Sequence, residues 1–177
     1  MEDWAACPFH RTRVTVGIRQ DLEVWRQFLD QYNGISFWRS QRLLKAEFQV
    51  QLDTAGSAGF GIYYRGRWCA GTSPDEWHQA GIMRDFTFLE FFPIVRALWL
   101  WVEEWADSVV RFWCNNQVVV HIINSLMSHS ERVMALVRSF TLRALKFNIL
   151  IQSRHVPGID NSLADASSHQ QIQQFKD

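Results

Sequence analysis

The sequence predicts an α/β fold: a mixed five-stranded sheet with helices on both faces. Three observations point to it. Residues 46–72 alternate apolar and polar positions between turn residues, as hairpin-joined antiparallel strands do. From residue 87 onward, helix-length runs alternate with short β-type runs, as in a sheet covered by helices. Finally, 47% of the 177 residues are hydrophobic and nine are tryptophan, enough to bury a sizeable core and to argue against disorder.

The elements follow in order. "RQDLEVWRQFLDQYNG" (19–34) sets Leu22, Trp25, Phe28 and Leu29 at helical spacing, and Asn33-Gly34 ends the run. This amphipathic helix needs a partner surface. Residues 1–45 differ in character from 46–177, which reads as the main domain. Phe48, Val50 and Leu52 alternate with polar neighbours in a first strand, "TAGSAG" turns the chain, and "FGIYY" and "RWCAG" give two more strands joined near Gly66. "SPDEW" is a short turn or helical start. "TFLEFFPIVRALWLWVEEWA" (87–106) is a mostly apolar helix that Pro93 should kink or loosen. "SVVRFWC" (108–114) is a strand and "NQVVVHIINSLM" a short helix. Residues 130–148 carry Val133, Leu136, Val137, Phe140 and Leu145 near helical spacing. "ILIQSRHV" (149–156) is a strand, and residues 158–175 form a final helix with a glutamine-rich end.

Eighteen basic residues balance eighteen acidic ones, so nucleic-acid binding must use local basic patches rather than an overall field. The three cysteines, Cys7, Cys69 and Cys114, are far apart and odd in number, which argues against a disulfide framework. Cys7 and His10 are three apart, but no second pair completes a zinc site. A reducing, intracellular setting is expected, nucleus or cytoplasm. No signal peptide is visible, and no uninterrupted apolar run reaches the ~18 residues a membrane span needs, so no membrane partner is expected.

Three carboxylates stand out. Asp53 ends the first strand of the main domain, Glu90 lies in the first turn of the long helix, and Asp165 lies in the last helix, ten residues after His155. Carboxylates on separate elements suit a divalent cation, whose charge offsets their repulsion. Two such ions can clamp the attacking and leaving oxygens of a phosphodiester. Each residue also fits a plainer role. Asp53 before "TAGS" suits a turn cap, Glu90 three after Thr87 suits a capping box, and Asp165 suits a solvated helix face.

"LDTAGSAGFG", "TFLEFFPIVRAL", "FWCNNQVVVHIIN" and "RHVPGIDNSLADASS" together resemble the ribonuclease H domain of DIRS-like and Ngaro-like retrotransposon reverse transcriptase polyproteins. The resemblance covers about residues 46–168. Upstream, "HRTRVTVGIRQDLEVWRQFLDQYNGISFW" is similar to the segment that connects reverse transcriptase to ribonuclease H there. The resemblance implies a ribonuclease H-like fold and an endonuclease that hydrolyses the RNA strand of an RNA–DNA hybrid with two Mg²⁺ or Mn²⁺ ions. It also implies four acidic metal ligands. Asp53, Glu90 and Asp165 match three of them. The fourth belongs in an Asp-Asn pair at the end of the fourth strand, where this chain has Asn115-Asn116.

Asn115 therefore stands where the resemblance implies a catalytic aspartate. It keeps the size and one carbonyl oxygen but loses a full charge, so impaired metal binding and slower cleavage are expected. His155 matches a position that assists proton transfer or product release; a surface histidine before a turn is the plainer reading. Asn161 is expected to hold the turn around the last helix. Ser167 and His169 depart from the leucine and arginine usual in the last motif. An inactive, decayed or host-adopted domain that binds nucleic acid or protein is the alternative function. Candidate partners are an RNA–DNA hybrid and the reverse transcriptase portion of the same polyprotein. Candidate substrate contacts are Asn116, Asn161, Arg84 and Arg154, and more broadly Arg65, Arg67, Arg143 and Lys146. Trp68 and Trp77 are candidates for stacking on bases, although burial is the commoner fate of tryptophan.

Overall fold

The computed structural model describes residues 13–32, 34, 47–55 and 59–157, the side chains of 53–55 excepted. The predicted final helix, and with it Asp165, Asn161, Ser167 and His169, lies outside the described residues, as do Cys7 and His10.

Strands β1 (Glu47–Ala55), β2 (Gly59–Tyr64) and β3 (Arg67–Gly71) form the predicted antiparallel meander. Strands β4 (Val109–Cys114) and β5 (Leu150–His155) add in parallel on the other side of β1, giving the order β3-β2-β1-β4-β5. Strand alternation sorts the residues between faces. Val50, Leu52, Ile62, Tyr64, Val110, Phe112 and Cys114 are buried, and the register sets Val50 beside Phe112 and Leu52 beside Ile62. Gly59 has φ +136°, and a Cβ there would come within 2.0 Å of the Gly71 carbonyl oxygen, so the β2–β3 ladder requires glycine at this point.

Helices α3 (Phe86–Trp101), α4 (Gln117–Ser125) and α5 (Glu131–Lys146) share one core with that face of the sheet. A short helix α2 (Asp75–Gln79) and a 3₁₀ turn (Ile82–Arg84) lead into α3. Helix α3 continues through Pro93 without a break. Leu89 and Phe91 before the proline and Ile94, Val95 and Leu98 after it are all buried, so core packing supports the helix on both sides of it.

The start of α3 also differs from the expected Thr87–Glu90 capping box. The helix begins earlier, with Asp85 as its cap, whose Oδ1 accepts from the Phe88 amide at 3.0 Å. Glu90 is therefore not at the third helical position a capping box needs. Replacing Asp85 with alanine is expected to lower stability by ~0.5–2 kcal/mol, read as a shifted denaturant midpoint at unchanged slope.

Helix α1 (Val16–Asp30) packs against α5. Arg138 holds it there, donating from Nε to Asp21 at 2.8 Å and from Nη2 to the Gly17 carbonyl at 3.4 Å. Of the four residues expected to need a partner, only Phe28 is buried. Leu22, Trp25 and Leu29 remain 59%, 53% and 63% exposed. The four residues do lie on one helix, but only part of their stripe is covered.

Candidate active site at the strand ends

Because β1, β4 and β5 are parallel, their C-terminal ends meet at one edge of the sheet. The β1–β4 register runs to Gln51 opposite Trp113, and two residues further on stand Asp53 and Asn115. In the β4–β5 register Cys114 lies opposite His155. Asp53, Asn115 and His155 thus occupy the ends of three adjacent strands. The crevice beyond parallel strand ends is where α/β sheets commonly carry their chemistry.

Glu90, on α3, comes near the same edge, beside the last residue of β4. Its half-buried carboxylate is near enough to act on Cys114. Burial pushes the Cys114 thiol up to about 12 and the Glu90 charge adds to this, while a hydrogen bond with Ser153 opposes it. A thiol more acidic in the unfolded than in the folded chain destabilises as it ionises. The Cys114 contribution to stability is accordingly constant below its ordinary value of 9.0 and is lost as pH rises from there toward about 12. In native protein at pH 8, half-buried Cys69 should react with a small alkylating agent well before Cys114, as mass spectrometry of the labelled peptides would show.

Asn115 follows directly on β4. The next residue, Asn116, caps α4: its Oδ1 accepts from the amides of Val118 at 2.9 Å and Val119 at 3.3 Å. That oxygen is engaged in helix capping, a role not assigned to Asn116 from sequence. The His155 ring nitrogen Nε2 lies 3.2 Å from the Asn115 carbonyl oxygen. A carbonyl only accepts, so this contact is a hydrogen bond when Nε2 carries the proton, and in the neutral ring Nδ1 is then the acceptor.

Arg154, exposed, precedes His155, and Arg84, also exposed, lies in the turn leading to α3, six residues before Glu90. The other basic candidates sit elsewhere. Arg65 and Arg67 lie at the β2–β3 turn, which the antiparallel meander carries to the opposite end of the sheet, and both pair with Glu104. Arg143 stacks on Trp99 with its guanidinium carbon 3.9 Å from the ring centroid. Lys146 ends the same helix, α5. Trp77 packs edge-on against Phe88 and Phe92 as part of the core margin, whereas Trp68 is 41% exposed.

Sequence reasoning missed Asn124, the asparagine in the apolar run of α4. Its amide bonds to both backbone groups of Ser153 on β5. A polar residue ending "VVVHIIN" was the available signal.

The strand order, the directions and the helix placement define an α/β domain built on a mixed five-stranded sheet. Three solved structures are similar, each at 14% identity over 72% of this chain. One is ribonuclease H1 from the halophilic archaeon Halobacterium salinarum NRC-1 (TM-score 0.48, 98% of that chain). Another is the N-terminal ribonuclease H domain of rv2228c from Mycobacterium tuberculosis, fused to maltose binding protein (0.46, 97%). The third is LC11-RNase H1, isolated from compost by a metagenomic approach (0.46, 95%). No family model and no curated protein matches the chain.

Proposed function

We propose that this chain is a ribonuclease H-type domain that acts on the RNA strand of an RNA–DNA hybrid, with cleavage impaired by Asn115. The observation that carries this reading is the alignment of Asp53, Asn115 and His155 on three adjacent parallel strand ends, with Glu90 in electrostatic reach from α3. Asp53, Glu90, Asn115 and Asp165 would hold two divalent cations, Mg²⁺ or Mn²⁺. Carboxylate and amide oxygens on separate elements are the hard donors such ions take. Bound there, the ions supply Lewis-acid stabilisation of charge developing on the phosphodiester oxygens. Among the described residues no group of three or more His, Cys, Asp or Glu forms a cluster, so the set depends on Asp53 and Asp165.

The chain's own groups divide the remaining work. His155 accepts or returns a proton through Nδ1 while Nε2 is tied to the Asn115 carbonyl. Arg154, beside His155, and Arg84, in the turn before α3, contact phosphates. The neutral amide of Asn115 leaves the ligand set one negative charge short and would weaken its hold on divalent cations.

A second reading follows from Asn115 together with the exposed apolar stripe of α1: a domain of decayed or host-adopted origin that binds hybrid or protein without cutting. In both readings residues 1–45 derive from a reverse transcriptase connection segment of a retrotransposon polyprotein. Residues 46–177 form the ribonuclease H-like domain, working in the nucleus or cytoplasm.

Cleavage of a labelled RNA–DNA hybrid in Mg²⁺ or Mn²⁺, for this chain beside Asn115→Asp, tests the first reading. Binding to the same hybrid is followed without divalent ions. Cutting by the Asp form alone supports an enzyme silenced at one residue. Equal cutting by both refutes the assigned role of residue 115, and binding without cutting by either supports the second reading.

A further inference from the structure

Strand β5 is an edge strand, and one side of its backbone faces away from β4. At Ser153 that side is closed by a side chain instead of another strand. Asn124 Nδ2 donates to the Ser153 carbonyl at 3.0 Å, and the Ser153 amide donates to Asn124 Oδ1 at 3.0 Å. The side-chain amide thereby imitates the peptide group of a missing neighbour. Only this amide orientation satisfies both bonds, since the flipped form sets oxygen against oxygen and N–H against N–H.

The same serine is tied inward. Its buried hydroxyl donates to the Phe112 carbonyl at 3.2 Å and lies 3.6 Å from Cys114 Sγ. Two residues along β5 is His155, which reaches the Asn115 carbonyl. Asn115 leads into α4, and Asn124 stands one residue before its end. The connections therefore close a ring: β4 to Asn115, through α4 to Asn124, across to Ser153, and back to β4 both directly and through His155. A helix joined to the sheet only by its preceding loop can pivot about that loop; this one is fastened near both ends.

We propose that Asn124 is a positioning residue for the strand-end site. It acts through Ser153 to hold His155 against the residue 115 carbonyl. Its importance for cleavage rests on the ribonuclease H reading above, whereas its hold on His155 does not. The exposure of Asn124 matters here. Water can replace its bonds when the side chain is truncated, so loss of the residue is expected to loosen the frame without unfolding the domain.

The test uses Asn124→Ala and the nearly isosteric Asn124→Asp, which keeps the acceptor but turns an oxygen toward the Ser153 carbonyl. Both are made in the unaltered chain and in the Asn115→Asp background. Nitrogen-15 shifts of the His155 ring at one neutral pH report whether Nε2 holds the proton. Hydrogen exchange at the Ser153 amide reports the bond itself. In both variants Ser153 exchange should accelerate at least tenfold and the Nε2–H preference should fall toward that of free imidazole. In the Asn115→Asp background kcat should drop by about 10–100-fold with KM changed less than about threefold, the size of effect seen when a supporting hydrogen bond behind a reactive group is removed.

Variants that fold, lose Ser153 protection and leave both the His155 ring and kcat unchanged would overturn the proposal, leaving Asn124 as a sheet-edge closure only. If Asn115→Asp itself cleaves nothing, the ribonuclease reading fails, and the His155 ring still decides whether Asn124 positions it. If Asn124→Asp does not fold, Asn124→Ala carries the same readouts.

Discussion

Asn115→Asp should raise the rate of hybrid cleavage by about 10²–10⁴-fold. The figure follows from the several kcal/mol that metal-assisted charge stabilisation contributes to such transition states, at one factor of ten for each ~1.4 kcal/mol. Asparagine and aspartate have nearly the same shape, so the change adds one negative charge at the end of β4 without repacking it. The surroundings favour a local effect: Asn116 still caps α4 and His155 still meets a backbone carbonyl that the substitution does not remove. Hybrid affinity without divalent ions should change little, because recognition of a hybrid rests on backbone and 2′-hydroxyl contacts rather than on one carboxylate. The sharpest measurement is single-turnover cleavage across a Mg²⁺ titration. If the gain is a ligand effect, the Asp form saturates at lower Mg²⁺ and with a higher plateau. A rate gain independent of Mg²⁺ concentration would sink the assignment of residue 115 as a metal ligand.

Phe112→Ala should be among the most damaging single changes to stability, lowering it by ~3–5 kcal/mol. Phe112 is fully buried in the middle of β4, between Val50 on β1 and Ser153 on β5. Its ring centroid lies 6.0 Å from that of Trp105 and 6.3 Å from that of Phe140, so it joins the segment after α3 to α5 across the sheet. Truncation leaves a cavity that the rigid strand cannot collapse into. For a domain of this size the loss corresponds to a melting temperature lower by roughly 6–20 °C. A fall of less than ~1 kcal/mol in a denaturant titration would mean that the core around β4 relaxes far more than its packing implies. Leu22→Ala on the exposed face of α1 is the natural comparison, since surface changes of this kind stay within about 0.5 kcal/mol.

The two predictions differ in how legible their residues were. Phe112 belonged to an apolar run whose strand character was plain, yet its central place came from pairing with β1 and β5, two segments distant in sequence. Asn115 was singled out by motif resemblance alone. That it stands next to the β1 end and one bond from His155 is a property of parallel register. The basic candidates show the reverse. Arg65 and Arg67 share their charge with Arg84 and Arg154, but β2 runs antiparallel to β1, so the β2–β3 turn falls at the end of the sheet where β1 begins. Thr87 and Glu90 match a capping pattern at the right spacing, and Asp85 caps instead because the helix starts two residues earlier, where its carboxylate meets the Phe88 amide.

By itself the sequence determined the five strands and the helices between them. Those are local properties: side-chain period, turn residues and the chemistry of single positions. Only the tertiary structure decided which strands are neighbours, which end of the sheet each charged residue reaches, that α1 leaves most of its apolar stripe in solvent, and that Asn124 fastens β5. These depend on contacts between residues tens of positions apart, and no periodicity within a segment records which distant segment will pack against it.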